Sequence, residues 1–147
     1  MSKAFAVGAV LALVLSVGVR AADQAEELKK LEGTWEFDSA VSNGDKAPAE
    51  ELKKMKVIIG DGKIKVQQGD QVLDEMPFKI SVDATPKNID VTNTQGDKKG
   101  KEELGIYELD GDTLKICSSN PGEKRPTAFE SKEGSKTDLL VLKRAKK

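Results

Sequence analysis

Histidine, cysteine and aromatic residues are absent or scarce in this chain of 147 residues, and each gap excludes a class of chemistry. The lack of any histidine excludes Ser-His-Asp and Cys-His catalysis, histidine-ligated zinc and the commonest general base. Cys117 is the single cysteine, so no intramolecular disulfide can form. Aromatic residues make up 4% of the chain, so any binding cavity should have aliphatic walls. We therefore expect no enzyme, no catalytic residue and no cofactor.

Residues 1–21 predict a secretory signal peptide. Lys3 supplies a positive charge, an apolar run extends from Ala4 to Val19, and the small residues Val19 and Ala21 fit a peptidase that cuts after Ala21. The competing hypothesis is an uncleaved membrane anchor. The apolar run has 16 residues, fewer than the roughly 20 that a spanning helix needs, and Arg20 ends it. We expect an exported protein, periplasmic or extracellular, with no stable membrane insertion after cleavage.

The remaining residues, 22–147, are expected to form one domain. A chain of this length can bury one modest core. Removing the signal peptide leaves 22 basic and 25 acidic residues, a net charge of −3, and the lysines are spread along the chain. Because nucleic-acid binding requires a clustered basic face, we expect no nucleic-acid partner.

The mature sequence is typical of an antiparallel β domain with a short helix at residues 23–31. Apolar and polar residues alternate over many short segments, as in half-buried strands. Gly60–Gly62 and Asp110–Gly111 are hairpin-turn signals, and residues 49–54 predict one helical turn. The eight or nine expected strands, which include a short one at Thr127–Ser131, indicate a sandwich or an up-and-down barrel.

Several motifs resemble those of known exported barrels. Gly-x-Trp at Gly33–Trp35, after a short helix, is similar to the opening motif of the lipocalin barrel. The fuller set adds Leu104–Cys117, Arg125–Thr127 and Leu142–Arg144. Together they resemble a family of exported proteins of planctomycete bacteria that is itself similar to lipocalins and has no established activity. The resemblance covers nearly all of the mature chain.

The resemblance implies a fold, a location and a structural role for three residues. The implied fold is a small antiparallel lipocalin-like β-barrel of about eight strands, and the implied location is the bacterial envelope. Gly33 and Trp35 would enter the first strand, and the guanidinium of Arg144 would lie on the indole and close the base of the barrel. No catalytic residues are available to carry over.

Four residues are candidates for ligand binding. Tyr107 and Arg125 could together bind a carboxylate, because a guanidinium and a phenol suit a fatty-acid head group. The alternative is that Arg125 lies exposed in the loop before Pro126. Phe78 and Ile80 belong to the expected apolar lining, which comprises Met55, Val57, Ile64, Val66, Phe78, Ile80, Ile89, Leu104 and Ile106.

Two other features favour structural roles. Alternation places Cys117 on the face opposite Leu114 and Ile116, where a free cysteine behaves as a small hydrophobic residue. Asp110 and Asp112 flank a hairpin glycine, and the spaced ligands of a calcium loop are missing, so we expect no metal site.

Two functions remain in competition. The first is an envelope protein that binds a small apolar or amphipathic molecule inside its barrel. A completely filled barrel would contradict it, and an eight-stranded barrel is near the size that side chains can fill. The alternative is a ligand-free protein–protein interaction module with unknown protein partners, which would have a filled interior and an exposed apolar patch.

Overall fold

The computed structural model describes residues 23–146, so the predicted signal peptide lies outside the described residues. A helix, α1, covers residues 23–31. It is followed by β1 (Gly33–Ser42), β2 (Asp45–Lys46), α2 (Ala49–Leu52), β3 (Met55–Gly60), β4 (Lys63–Gln68), β5 (Gln71–Ser81), β6 (Lys87–Thr92), a short 3-10 helix (Gly96–Lys98), β7 (Glu102–Asp110), β8 (Thr113–Ser119) and β9 (Thr137–Arg144). Across this described span no helix is long and apolar enough to cross a membrane.

The strands form a closed antiparallel barrel. From β3 to β9 consecutive strands pair in sequence order, and β1 pairs with both β3 and β9. These eight strands close the sheet, and β2 is a short addition beside the far end of β1. Positive φ angles at Asp61, Gly62 and Gly111 make the two predicted hairpin turns tight. The prediction of an eight-stranded barrel with a short N-terminal helix is confirmed, and the sandwich is excluded.

Alternation along the strands divides the side chains into an inner and an outer set. The inner set includes Trp35, Val57, Ile64, Ile89, Tyr107, Leu114 and Leu142, all of which are buried in one cluster. On β7, Tyr107 points inward, so its neighbour Ile106 lies on the outer face in register with Cys117. The expectation that Leu104 and Ile106 line the interior is therefore wrong. Alternation on β7 favours Leu104 and Ile106 as the inner pair because both are aliphatic, but Gly105 and Tyr107 occupy the inner positions.

The loop at residues 120–136 covers the outer face of β7 and β8. It buries Ile106 and Cys117, and the Cys117 thiol donates a hydrogen bond to the Glu130 carbonyl oxygen at 3.4 Å. Ser131 Oγ donates to the Thr137 carbonyl oxygen at 2.7 Å. The strand expected at Thr127–Ser131 is absent from the described chain, because this segment is held by side-chain hydrogen bonds and not by a β ladder.

The base of the barrel is closed by the C-terminal end of α1. Trp35, which is completely buried, donates its indole N–H to the Leu31 carbonyl oxygen at 3.0 Å. Arg144 Nη2 donates to the Lys30 carbonyl oxygen at 2.8 Å, and Nη1 donates to the Glu32 carbonyl oxygen at 3.0 Å. These carbonyls have no partner within the helix, so the two side chains complete its C-terminal hydrogen bonding.

The stacking of Arg144 on Trp35 explains the glycine at position 33, two residues before the tryptophan. The guanidinium carbon lies 4.3 Å from the centre of the indole ring, which is the predicted cation–π contact. A Cβ on Gly33 would lie 3.0 Å from Arg144 Nη1, and the φ of Gly33 is +134°. Both the space and the backbone conformation therefore favour glycine at this position.

Replacing Arg144 with lysine should destabilise the barrel. Lysine keeps the charge but cannot donate to two carbonyls while lying flat on the indole. We expect Arg144→Lys to lower the free energy of unfolding by about 1–3 kcal/mol. Urea titration followed by the fluorescence of Trp35 measures this, with Lys143→Arg on the exposed neighbouring residue as the matched control. A loss no larger than that of the control would contradict a closing role for Arg144.

Candidate functional site

The barrel interior contains a cavity of about 360 Å³. Its walls lie mainly in the strand halves remote from α1. Part of the wall belongs to the buried cluster that also contains Trp35. Strands β3 to β6 contribute only apolar side chains to it: Val57, Ile64, Val66, Met76 and Val91. From β1, β8 and β9 come Phe37, Ala40, Ile116, Leu140 and Leu142. The wall is therefore aliphatic with one aromatic ring, as the composition predicts.

Polar groups occupy one side of this cavity. They are Ser42, Asp45, Glu103, Ser118 and Asp138, all on β1, β2, β7, β8 or β9. Ser42 Oγ donates to Asp138 Oδ1 at 2.6 Å. Glu103 Oε2 accepts a hydrogen bond from an amide side chain (Asn93 Nδ2, 2.9 Å). The cavity thus combines an apolar body with a polar, acidic margin.

Tyr107 lies below this cavity, at the base of the barrel. Its side chain is 1% exposed, and its hydroxyl donates to Glu27 Oε1 of α1 at 3.3 Å. Lys87 Nζ donates to the same oxygen at 3.0 Å. Burial raises the pKa of Tyr107 far above its ordinary value of 10.0, and the adjacent Glu27 carboxylate raises it further. Tyr107 is thus an anchor for α1 and does not face the cavity wall.

Arg125 lies outside the barrel, away from Tyr107. Its Nη1 donates to Asp90 Oδ1 at 2.6 Å and to the Gly105 carbonyl oxygen at 2.7 Å. This pair fastens the 120–136 loop to the outer wall. The structure does not bring Arg125 and Tyr107 together, and it places them in separate hydrogen-bond networks.

The two other predicted ligand residues belong to the core around the base. Ile80 is buried in the central cluster, and Phe78 packs against that cluster. In the described chain, the cavity wall contains none of the four residues proposed from the sequence as ligand contacts. Gly33, Trp35 and Arg144 do meet at the base, as the resemblance implies.

Sequence reasoning missed the acidic residues of the cavity, although a signal was present. Counting back by twos from the inward Tyr107 reaches Gly105 and then Glu103. The same count from Leu142 passes through Leu140 to Asp138. A polar residue at the end of an inward-facing apolar series marks the point where a barrel interior meets water.

Cys117 is a buried structural residue. It is 0% exposed, and burial raises the pKa of its thiol. A thiol that resists ionisation is a poor nucleophile. This agrees with the packing role that alternation predicts.

Comparison with protein-family models, with curated proteins and with solved structures finds no match. Within residues 23–146, no group of three or more acidic or cysteine side chains is placed to hold a metal ion. The cavity is therefore the feature of the structure that bears on function.

The buried phenol of Tyr107 should make stability fall at alkaline pH. The pKa of Tyr107 is higher in the folded protein than in the unfolded chain. The stabilisation that this difference gives is therefore complete below pH 10 and is lost as the pH rises toward the pKa of the folded state. Above pH 10 the unfolded chain releases this proton first, which lowers the free energy of unfolding by up to about 1.4 kcal/mol per pH unit.

Urea titrations of the wild type and Tyr107→Phe between pH 8 and pH 11 isolate this effect, since lysine ionisation is common to both. We expect the free energy of unfolding of the wild type to fall by about 1 kcal/mol more than that of the variant over this interval. Parallel curves would contradict the burial of the protonated phenol.

Proposed function

We propose that this chain is an exported protein of the bacterial envelope that binds a small apolar or amphipathic molecule inside its barrel. The observation that carries the proposal is the cavity of about 360 Å³ with apolar walls. Ligand sites are commonly concave, predominantly apolar and about 300–1,000 Å³ in volume, with a few placed polar groups. The cavity has these properties.

The inner residues explain why this barrel retains space. An eight-stranded barrel can be filled by its own side chains. Here the inner positions around the cavity include Ala40, Val66, Val91 and Ser118, which are small. Gly105 adds no side chain, and a Cβ there would lie 2.8 Å from the Cys117 carbonyl oxygen. Close contact between the strands therefore requires glycine at this inner position.

The interaction module has no specific observation in its favour. It requires an exposed apolar patch, whereas Val72, at 46% exposed, is the only large hydrophobic side chain classed as exposed in the described part of the chain. Export is supported by the pattern in residues 1–21 and by the resemblance to exported lipocalin-like proteins. The absence of enzymatic activity stays a prediction from the lack of histidine.

Filling the cavity should abolish binding without unfolding the barrel. Val66 lines the cavity, so Val66→Phe places a ring where the ligand would lie. We expect the mature wild type to enhance the fluorescence of the neutral apolar probe 1-N-phenylnaphthylamine, and Val66→Phe to weaken probe binding at least tenfold.

Val72→Phe makes the same exchange at an exposed position of the neighbouring strand and serves as the control. It should bind the probe as the wild type does, with urea titration showing that both variants are folded. No enhancement by the wild type, or equal enhancement by both variants, would contradict binding in the barrel interior.

A further inference from the structure

The polar residues of the cavity, which we call its mouth, lie on neighbouring strands. They are Ser42, Asp45, Glu103, Ser118 and Asp138. Ser42 on β1 and Ser118 on β8 are both in register with Asp138 on β9. Gly105 on β7 is in register with Ser118, and Glu103 lies two residues beyond it on the same face. Because β3 to β6 contribute only apolar side chains, a bound molecule meets all the polar side chains on one side.

All the charged groups that line the cavity are negative. They are Asp45, Glu103 and Asp138, and no lysine or arginine lines this cavity in residues 23–146. A cation beside Glu103 is Lys98, whose Nζ lies 3.8 Å from Glu103 Oε2 and 3.4 Å from Asn120 Oδ1. Its side chain is about half exposed, at the edge of the barrel. The charged residues of the lining itself are therefore all negative.

A carboxylate head group would find no cationic side chain in the lining of this cavity. The two arginines of the described chain are both engaged elsewhere, Arg125 with Asp90 on the outer wall and Arg144 with Trp35 at the base. An anionic ligand would therefore place its charge beside Glu103 and Asp138, with only half-exposed Lys98 as a cation next to Glu103, and this disfavours binding. This argues against the fatty-acid ligand for which Arg125 was a candidate.

An ammonium group suits the same surroundings. The side chain of Glu103 is 14% exposed, and its cationic partner, Lys98 Nζ, is 3.8 Å away on a half-exposed side chain. A carboxylate so far withdrawn from water gains from a closer charged donor. An alkylammonium can donate charge-assisted hydrogen bonds to Glu103 or Asp138 and a further bond to a serine hydroxyl. A bound metal ion is a poorer candidate, because no metal-ligating group of three is formed in the described residues.

We infer that the ligand of this cavity is an amphiphile with an apolar body and a cationic amine head. The apolar body lies against β3 to β6, and the amine lies at the mouth between Glu103 and Asp138. This inference rests on the proposed function, because it specifies the ligand of the same cavity.

Three competing compounds that differ in their head group test the inference. Decylamine, decanol and decanoate are titrated at pH 7.4 against the wild-type protein loaded with 1-N-phenylnaphthylamine. We expect decylamine to displace the probe at a concentration at least tenfold lower than decanol, with decanoate weaker than both. Added salt should weaken the binding of decylamine and leave the binding of decanol unchanged.

Two variants assign the effect to the mouth. Glu103→Gln and Asp138→Asn remove one charge each. Each variant should weaken the affinity for decylamine about three- to tenfold and change the affinity for decanol less than twofold. Glu108→Gln, an exposed carboxylate on the outer face of the same strand as Glu103, is the matched control and should leave both affinities unchanged.

The outcomes separate the two proposals. If the probe binds and decanol or decanoate displaces it as well as decylamine does, the cavity binds ligands and the amine inference is wrong. If the wild type binds neither the probe nor any of the three compounds, the proposed function fails and the inference fails with it. The comparison of the three compounds on the wild type needs no variant to fold.

Discussion

The closed base is the constraint on which the rest of the structure depends. The carbonyls at the end of α1 need donors, and the guanidinium of Arg144 and the indole of Trp35 supply them from the last and first barrel strands. The same two strands pair with each other to close the sheet. One contact therefore joins α1, the start of β1 and the end of β9, which lie far apart in sequence.

Closing the base with large side chains concentrates the packing at one end. Trp35, Tyr107 and Leu114 fill the interior near α1, and Glu27 ties the helix to Tyr107 and Lys87. Toward the other end small inner residues such as Ala40 and Ser118 occur among the larger ones, and Glu103 and Asp138 are polar. The cavity follows from this gradient: the filled half supplies the stability, and the open half is free to accept a molecule.

The outer wall is stabilised independently of the interior. The 120–136 loop buries Ile106 and Cys117 and is fastened by the ion pair of Arg125 with Asp90. A small domain without a disulfide gains apolar burial from this second, external core. Because these contacts lie outside the barrel, they stabilise β7 and β8 without occupying the cavity.

The sequence predicted the features that depend on local patterns. Alternation and turn residues predicted most of the strands and the two hairpins, and the contact of Trp35 with Arg144 was implied by the resemblance to lipocalins. The direction of Arg125 could not be predicted, because it depends on which strand its loop crosses. Ile106 was assigned to the wrong face because an aliphatic residue under a covering loop has the same local pattern as one inside a barrel. The acidic mouth was missed because Glu103 and Asp138 are far apart in sequence and come together only when β7 to β9 pair.

Native mass spectrometry of the mature protein, purified gently from its own host, tests the central claim most directly. We expect an added mass that solvent extraction removes, and that Val66→Phe, isolated in the same way, lacks. A wild-type protein of bare mass, both as isolated and after exposure to envelope lipids and to decylamine, would contradict the account of this barrel as a ligand-binding protein.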